Sequence, residues 1–129
     1  MITVTHLQNQ EFKINVRGHE LMSAKSKENE DYPPTPPELF VSSLAACIGI
    51  YAVSFLGRHN IKTEGLTIEA DYTSKKENNL SWIDKIDVKL NLPEALDEKY
   101  KSALVKVVDS CMVHETIRRN PEIKIEIQN

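Results

Sequence analysis

The sequence has few glycines and none of the common nucleotide-binding motifs. Four glycines are scattered over 129 residues, so neither a G-x-G-x-x-G fingerprint nor a phosphate-binding loop can be formed from them. The H-E-x-x-H zinc motif is also missing, and the four histidines are dispersed along the chain. We therefore expect neither a cofactor nor a resident metal.

A strong charge of one sign is missing as well. The net charge is −3, with 27% charged and 40% hydrophobic residues, and no basic stripe suggests nucleic acid as a partner. The first ten residues contain neither a basic region nor an apolar run, so we expect no secretory signal. A chain of this length is expected to form one domain, residues 1–129, with a real core.

Cysteine occurs only twice, as Cys47 and Cys111. Without a secretory signal, this indicates a reducing compartment, the cytoplasm, where a cysteine pair is more often catalytic or redox-sensing than structural. The alternative is two buried, inert thiols, because free cysteine behaves as a small hydrophobic residue. Cys111-x-x-His114 with Cys47 could supply metal ligands, but the usual ligand spacing is missing and no metal is expected.

Charge is missing altogether between Leu39 and Leu56. Before this run, Thr35, Pro36 and Glu38 match an N-cap, a first-turn proline and the acidic member of a capping box. Gly57 predicts the end of the helix. The run is near the lower limit for spanning a bilayer, about 20 residues, but its prolines and serines and the charged remainder favour a buried helix and no membrane partner.

Alternating patterns predict strands on both sides of this helix. Three strands are expected before it and two after it, at residues 1–7, 12–16, 20–24, 66–73 and 82–92, with a polar loop at 74–79. Apolar spacing from Asp97, a candidate N-cap, to Cys111 predicts a second helix, which a short turn at 112–118 extends. Residues 123–127 alternate as a last strand. The order βββ-α-ββ-α-β indicates an α+β domain with antiparallel pairing.

A reactive thiol needs a nearby positive charge or a helix N-terminus. Cys47 lies about three turns from the start of its helix, too far for the helix dipole to act on it. Arg17, in the predicted turn before the third strand, is the best candidate for the cation. Its alternative role is that of an ordinary exposed arginine in a turn.

Three segments carry a resemblance to a known family. They are PPELFVSSLAAC at 36–47, SFLGRHNI at 54–61 and DSCMVHETI at 109–117. Together with the order of elements, they resemble the OsmC/Ohr family of thiol-dependent hydroperoxide reductases over nearly the whole chain. The resemblance implies an intertwined homodimer, with the two core helices buried between sheets and the sites at the dimer interface.

The resemblance also implies roles for individual residues. Cys47 would be the peroxidatic cysteine and Cys111 the resolving one, with Arg17 steadying the thiolate. The family's catalytic glutamate lies one position earlier than Glu38, where Pro37 stands here. A shift of one residue turns a side chain about 100° around the helix, so Glu38 is not expected to face Arg17. Capping is therefore its expected role. Met112 replaces the usual proline after the second cysteine, so the chain resembles the broader OsmC-like branch.

The activity implied is reduction of an organic hydroperoxide. Cys47 would become a sulfenic acid, Cys111 would condense with it to a disulfide, and a dithiol reductant, a lipoyl protein or a thioredoxin-like protein, would restore both thiols. The alternative is a non-enzymatic redox sensor or small-ligand-binding protein on the same scaffold.

Overall fold

The computed structural model describes residues 1–26, 28 and 30–129. Its elements follow the order βββ-α-ββ-α-α: β1 (Ile2–Gln8), β2 (Glu11–Val16), β3 (His19–Ala24), α1 (Pro36–Arg58), β4 (Thr67–Glu77), β5 (Leu80–Asn91), α2 (Glu98–Asp109) and α3 (Met112–Arg119). The expected α+β class is confirmed. The strands form two antiparallel sheets, one of three strands and one of two.

The first sheet is the antiparallel meander β1-β2-β3, as predicted. Arg17 and Gly18 form the turn between β2 and β3, and both have positive φ, 52° and 87°. The other end of β3 is tied to the segment before α1, because Ser23 Oγ and the Ala24 N–H both donate to the carbonyl oxygen of Pro34, at 3.0 and 3.3 Å. The sheet thus contacts the chain near the start of α1.

The second sheet is a hairpin longer than the sequence pattern predicts. The polar stretch expected to be a loop, 74–79, is mostly strand, and only Asn78 and Asn79 form the turn. Both asparagines have positive φ, 51° and 66°. Two such residues in succession give a turn whose twist matches that of the flanking strands. The strands therefore continue through polar residues that are solvated on both faces.

The start of α1 is as predicted, but its end differs. Thr35 and Glu38 form a complete capping box. The helix continues through Gly57 to Arg58, and Asn60, with φ 56°, is the left-handed residue after it. Asparagine tolerates this conformation better than most residues, so the glycine is not needed there.

One side of α1 packs inside the chain and the other does not. The packed side comprises Val41, Leu44, Ile48, Ala52, Phe55 and Leu56. Gly49 lies so close to β4 that an added Cβ would be 2.7 Å from Cδ1 of Ile68. On the other side, Phe40, Ile50 and Val53 are 43–69% exposed. By length and composition α1 could cross a membrane, and 33% of its most apolar window is buried in the single chain.

The C-terminal part departs from prediction in three ways. Asp97 is the N-cap of α2, but its side chain makes no capping hydrogen bond. The predicted extension at 112–118 is a separate helix, α3, which follows a turn at Ser110 and Cys111. The predicted last strand at 123–127 is not formed within the chain, since these residues have no regular secondary structure and belong to neither sheet.

Most of the buried apolar residues form two clusters along α1. The first contains Ala52, Phe55 and Leu56 of α1 with Leu96 and Leu104. The second contains Leu44 and Ile48 of α1 with Cys111. Because the second cluster places a cysteine in the core, it is the candidate site.

Candidate active site

Both cysteines belong to the second cluster, although 64 positions separate them in the chain. Cys47 lies on α1, one residue before Ile48, and packs against the buried trio of Leu44, Ile48 and Cys111. Its side chain lies close enough to the Cys111 thiol to raise the pKa of that group. Both cysteines are free thiols, Cys111 buried and Cys47 half-buried. The structure thus brings together the two residues from which the sequence predicts redox chemistry.

Cys111 is the more protected thiol. It has no exposed surface, and this burial is the main cause that raises its pKa above the ordinary value. The nearby Cys47 side chain raises the pKa further, whereas the backbone amides of His114 and Val113 lower it. A protonated thiol is therefore the favoured form of Cys111.

The backbone amides that lower the pKa of Cys111 belong to the first turn of α3, and Cys111 is the N-cap residue of that helix. The N–H groups in the first turn of a helix have no partner within the helix, and they favour a negative sulfur. The Cys111 N–H donates to the Val108 carbonyl at 3.2 Å, and the Cys111 carbonyl accepts from Glu115 N–H at 2.9 Å. The cysteine backbone is thus fixed on both sides.

A cluster of charged residues closes the corner between α2 and α3. Arg118 donates to both the carboxylate and the carbonyl oxygen of Asp109, at 2.7 and 2.8 Å. Arg118 and Arg119 both donate to the Glu115 carboxylate, at 2.8 and 3.0 Å. These two hydrogen bonds, that of Arg119 first, lower the pKa of Glu115. The Nδ1 atom of His114 lies 3.6 Å from Oδ1 of Asp109.

Arg17 and Glu38 are not brought to the thiols within one chain. Arg17 is exposed in the β2–β3 turn, and no hydrogen bond or ion pair between described residues involves it. Strand β3 has six residues, so this turn lies about 20 Å from the end tied to Pro34. Glu38 accepts from the Thr35 N–H at 2.8 Å, and its own N–H donates to Thr35 Oγ1 at 3.4 Å. Glu38 therefore acts as the cap that the sequence predicts.

An open cavity of about 640 Å³ lies beside the cysteine cluster. The cavity and the cluster share Leu44, Ile48, Ile86, Val88 and Val108. Leu44 and Ile48 line the cavity and also belong to the cluster that contains Cys111, whereas neither cysteine is among the lining residues. Asp84, Lys85, Asp109 and His114 add polar groups to the lining. An elongated apolar molecule with one polar end matches this lining.

Metal ligation was the other candidate role for Cys111 and His114. Within the described parts of the chain, no group of three or more His, Cys, Asp or Glu side chains is arranged to hold a metal ion.

Two features of the site are not evident from the sequence pattern. One is the position of Cys111 at the start of α3, because the apolar spacing of α2 continues up to it. The other is the Arg118–Asp109 contact, which joins residues nine positions apart across a turn. Glu115, Arg118 and Arg119 have the three- and four-residue spacing of helical ion pairs, and this signal could have been found.

Comparisons with known proteins agree with the fold. The family model described as OsmC-like protein matches residues 28–126. An OsmC-like protein from Mycoplasma pneumoniae is 16% identical with a TM-score of 0.74, covering 92% of this chain and 86% of its own. The organic hydroperoxide resistance protein OhrB of Bacillus subtilis is 21% identical with a TM-score of 0.70, covering 99% and 98%.

A third structure, an OsmC-like hydroperoxide resistance protein from Jannaschia sp. CCS1, is 16% identical with a TM-score of 0.61, covering 99% of this chain and 91% of its own. Among curated proteins, no sequence matches significantly. At these identities the structural likeness shows a shared fold.

Proposed function

This chain belongs to the OsmC-like protein family, and we propose that it reduces organic hydroperoxides through a cycle that uses Cys47 and Cys111. The observation that carries the proposal is the proximity of two free thiols within one apolar cluster. Two structural relatives are named hydroperoxide resistance proteins, which favours this substrate class. The chemistry belongs to thiols alone and uses no cofactor.

The roles of the two cysteines follow from their surroundings. Cys47 is half-buried and Cys111 is fully buried, so peroxide reaches Cys47 first. The Cys47 thiolate attacks the outer oxygen of R–O–O–H, the O–O bond breaks, and the products are Cys47–SOH and, after protonation, the alcohol R–OH. The Cys111 thiol then displaces water from the sulfenic acid and forms the Cys47–Cys111 disulfide.

A dithiol of the lipoyl or thioredoxin-like class completes the cycle. It reduces the disulfide to two thiols and becomes a disulfide itself, so electrons and protons balance. Such a reductant requires a reducing compartment, and we place the protein in the cytoplasm for this reason. Nucleic acids and membranes are not among the proposed partners.

The substrate would enter through the cavity beside the cluster. Its lining is mainly apolar, and about 640 Å³ accommodates an alkyl chain of several carbons. Burial of that chain favours alkyl or lipid hydroperoxides over hydrogen peroxide, which has no apolar surface to bury. Leu44 and Ile48 belong to both the cavity lining and the cysteine cluster, so the alkyl chain of a bound peroxide would pack next to the cluster that holds Cys47.

Arg17 would stabilise the Cys47 thiolate, since a guanidinium stays protonated and presents several donors. No described contact joins the two residues within one chain, so we assign this role to Arg17 of the partner subunit in a homodimer. The exposed position of Arg17 in its turn supports this assignment. Glu38, the other candidate, is engaged in the capping box, and we propose no direct catalytic step for it.

The test is peroxide consumption over many turnovers with excess dithiothreitol or a lipoyl dithiol. We expect wild type to consume an organic hydroperoxide catalytically, Cys47→Ser to be inactive and Cys111→Ser to form the sulfenic acid but turn over poorly. Cumene hydroperoxide and hydrogen peroxide in parallel would test the apolar preference. Equal consumption by wild type and Cys47→Ser would refute the peroxidase function.

A redox sensor is the second candidate, and the raised pKa of Cys111 favours it. A buried, protonated resolving thiol attacks slowly, because the thiolate is the nucleophile. A sensor would be oxidised once and return to the thiol form slowly. Stoichiometric oxidation without turnover, in the presence of excess dithiol, would identify this function.

A further inference from the structure

We propose that Arg118 and Asp109 form a clamp that positions Cys111 against Cys47, which makes Arg118 a positioning residue for disulfide formation. The inference rests on the proposed function, since it concerns the resolving half of that cycle. It begins at the α2–α3 corner, where Cys111 lies between the last residue of α2, Asp109, and the first residue of α3, Met112.

The clamp holds two different groups of one residue. Nη2 of Arg118 donates to Oδ2 of Asp109 at 2.7 Å, and Nη1 donates to the Asp109 carbonyl oxygen at 2.8 Å. A planar guanidinium with two donors fixes direction as well as distance, which a lysine cannot do. The cation also lies at the carbonyl end of α2, where a positive charge is favourable.

The clamp connects the last turn of α3 to the end of α2, with Cys111 between them. Cys111 is the N-cap of α3, so a rotation of α3 away from α2 would carry its sulfur away from Cys47 on α1. The backbone hydrogen bonds of Cys111 to Val108 and Glu115 hold it to the last turn of α2 and the first turn of α3, but they do not set the angle between the two helices. His114 also lies 3.6 Å from Asp109, but it belongs to the first turn of α3. Arg118 reaches the same Asp109 from the last turn of α3 and thereby fixes the angle between the two helices.

The clamp is exposed, and its effect is therefore local. The side chains of Arg118 and Asp109 are 38% and 58% exposed. Ion pairs at such exposure contribute little to global stability. Removing the guanidinium should thus leave the fold intact and loosen the corner.

Loosening matters because the Cys47 sulfenic acid has two fates. Attack by Cys111 gives the disulfide and one water, whereas a second hydroperoxide gives Cys47 sulfinic acid and one alcohol. The ratio of the two products depends on how close the Cys111 sulfur is held, since orientation sets the effective concentration of the attacking group.

The first experiment measures this effective concentration without peroxide. The Cys47–Cys111 disulfide is brought to equilibrium with reduced and oxidised glutathione in wild type, Arg118→Gln and Arg119→Gln. Arg119 is the matched control, because it donates to the same Glu115 and makes no described contact with Asp109. We expect the effective concentration to fall about ten-fold in Arg118→Gln and to stay within about twofold of wild type in Arg119→Gln.

The second experiment counts sulfinic acid at Cys47 by mass spectrometry after one pulse of cumene hydroperoxide. Arg118→Gln should carry several-fold more sulfinic acid than Arg119→Gln, while both form the sulfenic acid at the wild-type rate. Thermal unfolding checks that each variant folds. If Arg118→Gln does not fold, Arg118→Lys, which keeps the charge and loses the two-point contact, takes its place under the same criteria.

Equal glutathione equilibria in the Arg118 and Arg119 variants would overturn the clamp. That result is distinguishable from failure of the proposed function, in which wild type forms the disulfide with glutathione but consumes no hydroperoxide. In that case the ten-fold difference between the variants would still support the clamp as a device that joins the two thiols.

Discussion

The two cysteines are chemically unequal because their surroundings differ. Cys111 has no exposed surface, and burial raises its pKa, whereas Cys47 is half-buried on α1. In a peroxide cycle the first cysteine must be accessible to the peroxide. The second cysteine reacts only after the first has become a sulfenic acid. The inequality agrees with the order of attack proposed for the site.

The raised pKa of Cys111 predicts how stability depends on pH. An unfolded cysteine titrates near pH 8.5, and the folded-state pKa of Cys111 is higher. As pH rises, the Cys111 thiol ionises first in the unfolded chain. Its contribution to the free energy of unfolding is therefore fully present below the unfolded pKa and is lost as pH rises through the folded pKa. In excess reductant, as pH rises above the unfolded pKa of about 8.5, the free energy of unfolding should fall more steeply in wild type than in Cys111→Ala.

Urea denaturation at several pH values between neutral and alkaline measures the two slopes. Cys111→Ala will be less stable at every pH because it leaves a cavity, so the comparison concerns slopes and not levels. Parallel curves for the two proteins would mean that Cys111 ionises alike in the folded and unfolded states.

Among the helices and strands, α1 is stabilised at its start by the capping of its first turn. Thr35 and Glu38 satisfy each other's backbone N–H groups, and Pro36 occupies a position where no N–H is needed. The helix then carries Cys47 and packs against α2, α3 and both strands of the second sheet. Fraying of the first turn would therefore disturb the site only indirectly.

Substitutions in the capping box separate capping from catalysis. Thr35→Ala should reduce the free energy of unfolding by about 1 kcal/mol, because one N–H at the helix start loses its partner. Glu38→Gln should leave both stability and peroxidase rate nearly unchanged, since glutamine also completes a capping box. Chemical denaturation and steady-state peroxide consumption measure the two effects.

A rate loss of about a hundred-fold in Glu38→Gln, equivalent to about 2.7 kcal/mol of barrier, would contradict this prediction. It would show that the carboxylate acts in catalysis despite its shift of one position. Thr35→Ala, which removes the same cap from the other side, is the control for any effect of helix fraying on rate.

At the scale of the whole molecule, one chain leaves much apolar surface uncovered. Exposed apolar side chains occur on α1, on the first sheet and on the C-terminal segment, where Ile123, Ile125 and Ile127 are 79–92% exposed. Large apolar side chains exposed in such number favour an interface that covers them. A second copy is the partner we propose, because closed two-fold pairing is the commonest way to cover it.

Light scattering at tens of micromolar, where an obligate dimer has no stable folded monomer, should give twice the chain mass. Ile125→Gln should weaken the dimer, because it places an amide on the apolar side of the alternating segment. Lys124→Gln, on the opposite side of that segment, should not. A monomeric wild type, or equal dissociation of the two variants, would contradict the role of this segment in pairing.

Much of the fold could be predicted from the sequence because it depends on near neighbours. The capping box joins residues three apart, and the alternation of strands and the spacing of α2 are periodic over ten residues or so. The errors occurred where such patterns are incomplete. The polar stretch before Asn78 is strand because its cross-strand partner holds it, and residues 123–127 lack a partner in their own chain.

The candidate site, like the fold, could be predicted only in part from the sequence. The sequence alone indicated which residues carry the chemistry, since only two cysteines exist and one of them lies within the uncharged run from Leu39 to Leu56. Only the tertiary structure decided that Cys47 and Cys111 meet and that Arg118 reaches Asp109 around the corner between α2 and α3. Local secondary structure depends on hydrogen bonds and side-chain periodicity between residues that are close in sequence. Contacts between residues 64 positions apart depend on how the helices and strands pack against one another.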